Sequence, residues 1–175
     1  MDKQRTMSWI LGILLGTALV NGMLSGGNVD RALVAMPAWR HVGPEAWAEF
    51  SRYADLGNGS FLYPAMAIGT TVALVAAAIL ILNTGSSART AKLAVLLTSL
   101  LMIAALPFSL KAAPFMLAIR HIHNVNASAI EQAFAGFEFW GRLQGIFHVA
   151  SFCANLWAIV ALSGSVVGSS RLNAR

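Results

Sequence analysis

Charge is scarce in this chain. Of 175 residues, 12 are Lys or Arg and 7 are Asp or Glu, so 11% of the chain is charged. Soluble domains carry roughly a quarter. The basic residues are scattered and form no run, so the net charge of +5 gives no nucleic-acid footprint and no nucleic-acid partner is expected. A single cysteine, Cys153, excludes an intrachain disulfide framework. A Gly-x-Ser-x-Gly elbow is missing, and the glycine-rich stretches lack the Lys-Ser/Thr ending of a phosphate-cradling loop. Metal-ligand spacing is missing too. His121 and His123 point about 200° apart on a helix, His41 sits beside Arg40, and no Glu-x-x-His pair marks a di-iron bundle. No metal site is expected, and the sequence requires no cofactor.

Apolar residues fill the space that charge leaves. They make up 57% of the chain, and mean hydropathy is +0.67. Four runs are long enough to cross about 30 Å of hydrocarbon. The expected fold is all-α: an integral membrane four-helix bundle, one domain over 1–175, with spanning helices near 7–24, 61–83, 93–112 and 143–167. The first run is long for a signal core and lacks a clear cleavage site, so it reads as an uncleaved helix. Gly12 and Gly16 form a small-xxx-small pair expected to admit a neighbouring helix closely. Residues 25–28 (Ser-Gly-Gly-Asn) weaken the first helix. An outer segment follows, with a short amphipathic helix opened by Pro44 and carrying Trp47 and Phe50 opposite Glu45, Glu49 and Arg52. Residues 55–60 read as a turn. Pro64 opens the second helix, Pro107 and Pro114 mark kinks in the third, and 130–140 is a second amphipathic piece. The two outer segments, rich in Trp39, Trp47, Phe50, Phe134 and Phe137, are expected to pack together as a cap.

Six basic residues (Lys3, Arg5, Arg89, Lys92, Arg171, Arg175) fall on one side in short stretches, and six on the other are spread thinly among six of the seven acids. Density favours both termini in the cytoplasm, with the chain integral to the inner membrane. The lipid bilayer is thus the expected surrounding, and a second copy or another membrane subunit is an admissible partner.

The fourth run carries the chemistry. Gln144, His148, Ser151 and Asn155 fall within one stripe about 60° wide on a helix, whereas Cys153 lies about 140° from His148. A polar stripe on a membrane-length helix faces protein, a cavity or a ligand. Thr17 and Asn21 of the first helix share one face and are expected to meet it. Two readings stand side by side: a seam of interhelical hydrogen bonds, or a site built on His148 as base, with Trp140 and Arg142 at its mouth.

The layout resembles the anthrone oxygenase-like family of small four-helix membrane proteins. The resemblance rests on the glycine-containing first helix leading to Ala35-Met36-Pro37-Ala38, the aromatic outer helix, and Pro64 opening the second helix. Pro107 and Pro114 at the outer end of the third helix and the Trp140…His148 start of the fourth complete it. One departure is that Arg142 precedes His148, where the family pattern has an Arg soon after. The resemblance implies oxidation of a small aromatic substrate, a polyphenol or quinol type, without an obvious metal or flavin. It implies His148 as base, Arg142 stabilising the phenolate, Gln144 and Asn155 orienting the substrate oxygen, and Trp140 and Phe139 flanking a flat ring, with Asn21 contributing from the first helix. The competing class is a non-enzymatic accessory or structural membrane subunit.

Overall fold

The computed structural model describes residues 3–84, 89–122 and 126–172. Long runs of Leu, Ile, Val, Ala and Met with few breakers give helices here, and among the described residues there is no strand. Helix α1 spans Lys3–Asp30, and a wide π-type turn at Arg31–Ala35 carries it into α2, Met36–Val42. Gly43 breaks the path at φ 102°, a left-handed conformation that a side chain resists, while its N–H closes α2 on the Trp39 carbonyl at 2.9 Å. Pro44 then starts α3, Pro44–Tyr53. A second wide turn, Ala54–Asn58, with Gly57 at ψ −120°, leads into α4, Gly59–Asn83. Helix α5 is Arg89–Ala118 and α6 is Ala127–Leu172.

Four stretches are long and apolar enough to cross a membrane: Gln4–Val42, Pro44–Asn83, Arg89–Ala118 and Ala127–Gly164. Helices α1, α4, α5 and α6 form a ring in which α6 packs on α5 and α1, and α4 packs on α1 and α5. Pairing of Thr17 with Asn155 and of Asn28 with His148 makes α1 and α6 antiparallel, so the chain's two ends share one end of the bundle.

Several boundaries differ from the expectation. Residues 25–28 do not weaken α1, because Asn28 Nδ2 donates to the Leu24 carbonyl at 2.7 Å and Ser25 is buried, so packing outweighs glycine's helix cost of about 1 kcal/mol. Residues 130–140 are not a separate piece: they are the outer turns of α6. Residues 55–60 do hold the expected change of direction: Gly57, at φ −84° and ψ −120°, leaves helical geometry and kinks the path from α3 into α4. All four helices overrun the expected spans, since polar residues at their ends continue the same backbone ladder. Pro107 and Pro114 lie within α5, which runs on past the expected end at 112. Among the described residues the Gly12–Gly16 face meets nothing within 4 Å, so it does not seat a neighbouring described helix.

Two apolar cores lie along the bundle. The inner one holds Ile10, Leu14, Leu74, Ile81, Val95, Met102 and Leu162. The outer one is the cap: Trp47 sits edge-on to Phe134 at 4.9 Å, with Phe137, Met36, Met116, Ile119 and Ile130 around it. Trp39 is half-buried against Phe50 at 5.1 Å, and Phe50 itself is exposed. The approach of α5 to α6 depends on Gly136, where a Cβ would come within 2.4 Å of the Phe115 ring. Arg52 ties the cap down by donating to the Ile122 carbonyl at 2.8 Å and the Ile119 carbonyl at 3.3 Å.

Trp47→Ala is expected to cost about 3–5 kcal/mol of stability, as for other buried Trp truncations. Phe50→Ala, on the exposed face of the same helix, should cost much less. Unfolding of the two purified variants in micelles measures the difference, and equal losses would mean that Trp47 does not anchor the cap.

Candidate functional site

Between the two cores lies a polar layer. On α6, His148, Ser151 and Asn155 are all 0% exposed, and Gln144, one turn further out, is half-buried. On α1, Thr17, Asn21 and Ser25 are buried, and Asn28 is half-buried at the outer edge. Antiparallel packing brings the two sets face to face. Asn155 Nδ2 donates to Thr17 Oγ1 at 3.1 Å, and Asn21 Nδ2 donates to Ser151 Oγ at 3.1 Å. Asn28 Nδ2 lies 3.0 Å from His148 Nδ1. Helix α5 adds Thr98, which donates to the Ser151 carbonyl at 2.9 Å, while Ser151 Oγ donates to the Thr98 carbonyl at 3.0 Å.

The protonation pattern of His148 follows from its partner. An amide nitrogen has two hydrogens and no lone pair to offer. Asn28 Nδ2 gives one hydrogen to the Leu24 carbonyl, and the other points to His148 Nδ1. Nδ1 is then an acceptor, and in the neutral ring the proton sits on Nε2. That atom is buried and has no hydrogen-bond partner among the described residues, as is also true of Asn21 Oδ1, Asn155 Oδ1 and Ser25 Oγ.

Above the layer, ion pairs close the outer end. Buried Glu138 takes Arg40 Nη2 and Arg142 Nη2 at 2.6 Å each. Arg31 pairs with Asp55 at 2.5 Å and lies over the Phe137 and Tyr63 rings. Asn28, Arg31, Met36, Phe137, Glu138, Gly141 and Arg142 line a small cleft here, with room for about one water-sized group.

The site residues expected from sequence thus divide. His148, Asn155 and Asn21 come together in the interior. Arg142 stands at the mouth, half-exposed, with Nη2 on Glu138. Trp140 is half-buried, stacked near Phe108 with Lys111 Nζ 6.0 Å from its ring, and Phe139 points outward at 57% exposure. Those two rings meet edge-on at 5.0 Å and do not form two walls of a slot. Cys153 is exposed, on the far side from His148. His41 and His121 are exposed, and His123 lies outside the described residues. Among the described residues no cluster of His, Cys, Asp and Glu fits a metal ion.

Sequence reasoning missed Asn28, Ser25 and Thr98. A signal existed for the first two, since positions 21, 25 and 28 form one helical stripe at i, i+4 and i+7. Reading residues 25–28 as a helix-weakening segment hid it.

Ser151→Ala removes the acceptor of Asn21 and one half of the reciprocal pair with Thr98. The expected loss is about 1–2 kcal/mol, against a few tenths for Gln144→Ala. Equilibrium unfolding of both variants checks the ordering. No protein-family model, curated protein or solved structure matches the chain.

Proposed function

We propose that the chain is a small integral membrane protein of the inner membrane, with both termini cytoplasmic, and an anthrone oxygenase-like oxidase of a polyphenolic or quinol-type substrate with His148 as base. Support for the membrane comes from the exterior. Leu15, Leu19, Met23, Val72, Ile79, Leu100, Ile103 and Val160 are all exposed, so the outer faces of the four helices are apolar while polar groups lie inside. Support for the orientation comes from Arg5, Arg89 and Lys92, which share the end of the bundle that holds both termini.

The observation that carries the functional reading is the pairing of His148 Nδ1 with Asn28, a residue that also lines the outer cleft. The acceptor nitrogen of the buried imidazole is thus one side chain away from a cleft with room for about one water. A base there takes a proton from the activated C–H of an electron-rich substrate. The carbanion passes an electron to O2, and recombination gives a peroxide that collapses to the carbonyl. The hydroxide released takes back the proton from the imidazolium, for a net consumption of one O2 and formation of one water.

A second reading is favoured by a different observation. Asn155–Thr17, Asn21–Ser151 and Ser151–Thr98 join three helices, as expected of an accessory subunit whose polar stripe is a packing seam. His148→Gln separates the two, because it keeps hydrogen-bonding capacity without an imidazole. In proteoliposomes supplied with a polyphenolic anthrone, O2 uptake should fall about 100-fold or more while the variant stays folded. No uptake by the parent protein, or uptake unchanged by the substitution, would favour the seam.

Orientation has its own test. A fluorescent protein that matures only in the cytoplasm, fused after Arg175, should fluoresce. A periplasmic reporter active at the same position would overturn the topology.

A further inference from the structure

Glu138 is a buried carboxylate that carries two cations. Arg40 Nη2 of α2 donates to one of its oxygens and Arg142 Nη2 of α6 to the other, at 2.6 Å each. The Glu138 side chain is 7% exposed, while those of Arg40 and Arg142 are 60% and 51% exposed. Arg31, close by, is matched by Asp55. The Arg40–Glu138–Arg142 cluster therefore carries one positive charge in excess. A guanidinium has five N–H donors, and Glu138 takes one from each arginine, so both keep donors on their exposed sides. Sharing a single carboxylate also holds the two groups at a spacing that one phosphate bridges. The setting is apolar. Phe139, Arg142 and Ile146, at i, i+3 and i+7, form one exposed stripe of α6, and Leu33, Val34 and Pro37 are exposed ahead of Arg40. Cations on such a surface sit where hydrocarbon gives way to headgroups. The cleft between Met36 and Gly141 has room for about one water, so a headgroup rests on its rim and not inside it.

We propose that Arg40 and Arg142, held together by Glu138, clamp the phosphodiester of an anionic phospholipid in the leaflet opposite the termini. The single negative charge of the phosphate offsets the excess, and its oxygens accept the N–H groups that Glu138 leaves unused. An acyl chain then runs inward past Ile146. A headgroup with an ammonium, as in phosphatidylcholine, brings the excess charge back and binds less well. Glu138 is the positioning residue, because it touches both guanidinium groups and not the lipid. The proposal rests on the membrane placement given above and is independent of the oxidase reading.

The test titrates the full chain in maltoside micelles with phosphatidylglycerol or phosphatidylcholine and counts bound lipid by native mass spectrometry. Phosphatidylglycerol should bind about tenfold more tightly than phosphatidylcholine. Arg40→Gln and Arg142→Gln each leave Glu138 one arginine, and each should lose that preference. Lys111→Gln removes an exposed cation elsewhere at the same end, beside Trp140, and should keep it. Glu138→Gln adds positive charge but releases the clamp, so the preference should fall. Equal binding of the two lipids by the wild type overturns the proposal whether or not any variant folds. So does a preference that survives in both arginine variants, disappears in Lys111→Gln or rises in Glu138→Gln, since each means diffuse attraction. Inorganic phosphate that displaces phosphatidylglycerol at equal concentration makes the ligand a free anion and overturns the lipid. A chain soluble without detergent sinks the membrane reading and the clamp together, whereas a chain that needs micelles but shows no preference sinks the clamp alone.

Discussion

The Ser151 hydroxyl is where three helices meet: it accepts from Asn21 on α1 and exchanges hydrogen bonds with Thr98 on α5. In an apolar bundle such a group has no alternative partner, so its bonds fix rotation as well as contact. Turning α6 by one residue, about 100°, would carry Ser151 to the outer surface and bring Phe152 toward Thr98. The same turn would separate His148 from Asn28 and Asn155 from Thr17. Register, helix rotation and the geometry around His148 are therefore one constraint.

Close approach makes that constraint possible. A hydrogen bond between short side chains such as Asn21 and Ser151 needs backbones nearer than Leu-lined helices allow. Glycines supply the room. Gly22 lies against the Phe152 ring, where a Cβ would come within 3.2 Å, and Gly145 lies against Asn28. These glycines flank the polar layer on both helices. The outer cap then shields it: Trp47 and Phe134 fill the space above, and Glu138 draws in Arg40 and Arg142 across the rim. Strong charge is kept to the ends and weakly polar groups to the middle, the order that desolvation cost prescribes.

Periodicity made the four apolar helices and the His148–Ser151–Asn155 stripe legible in the sequence, because burial of polar groups in a long apolar helix has few solutions. Its pairing with Thr17 and Asn21 was legible for the same reason. Helix ends were not. The wide turns at Arg31–Ala35 and Ala54–Asn58 join segments that composition separates, and tertiary packing decides whether Gly26 and Gly27 break a helix. The surroundings of Arg142 and Phe139 were not legible either. Arg142 lies one turn after Glu138, so its guanidinium is drawn to that carboxylate, and Phe139, about 100° further round α6, faces outward.

A packing seam and a binding site make different demands on the polar layer. Asn21 Oδ1, Asn155 Oδ1, Ser25 Oγ and His148 Nε2 are buried with no hydrogen-bond partner among the described residues. Each such atom costs about 1–3 kcal/mol, whereas an interhelical hydrogen bond in a membrane returns about 0.6 kcal/mol. The two asparagines, the serine and the imidazole lie where α1 faces α6, while Ser51 Oγ on α3 and Thr70 Oγ1 on α4 are buried in the same way elsewhere. Leftover hydrogen-bonding capacity is thus the feature on which the two readings differ, because a packing seam has no use for it and a polar ligand would.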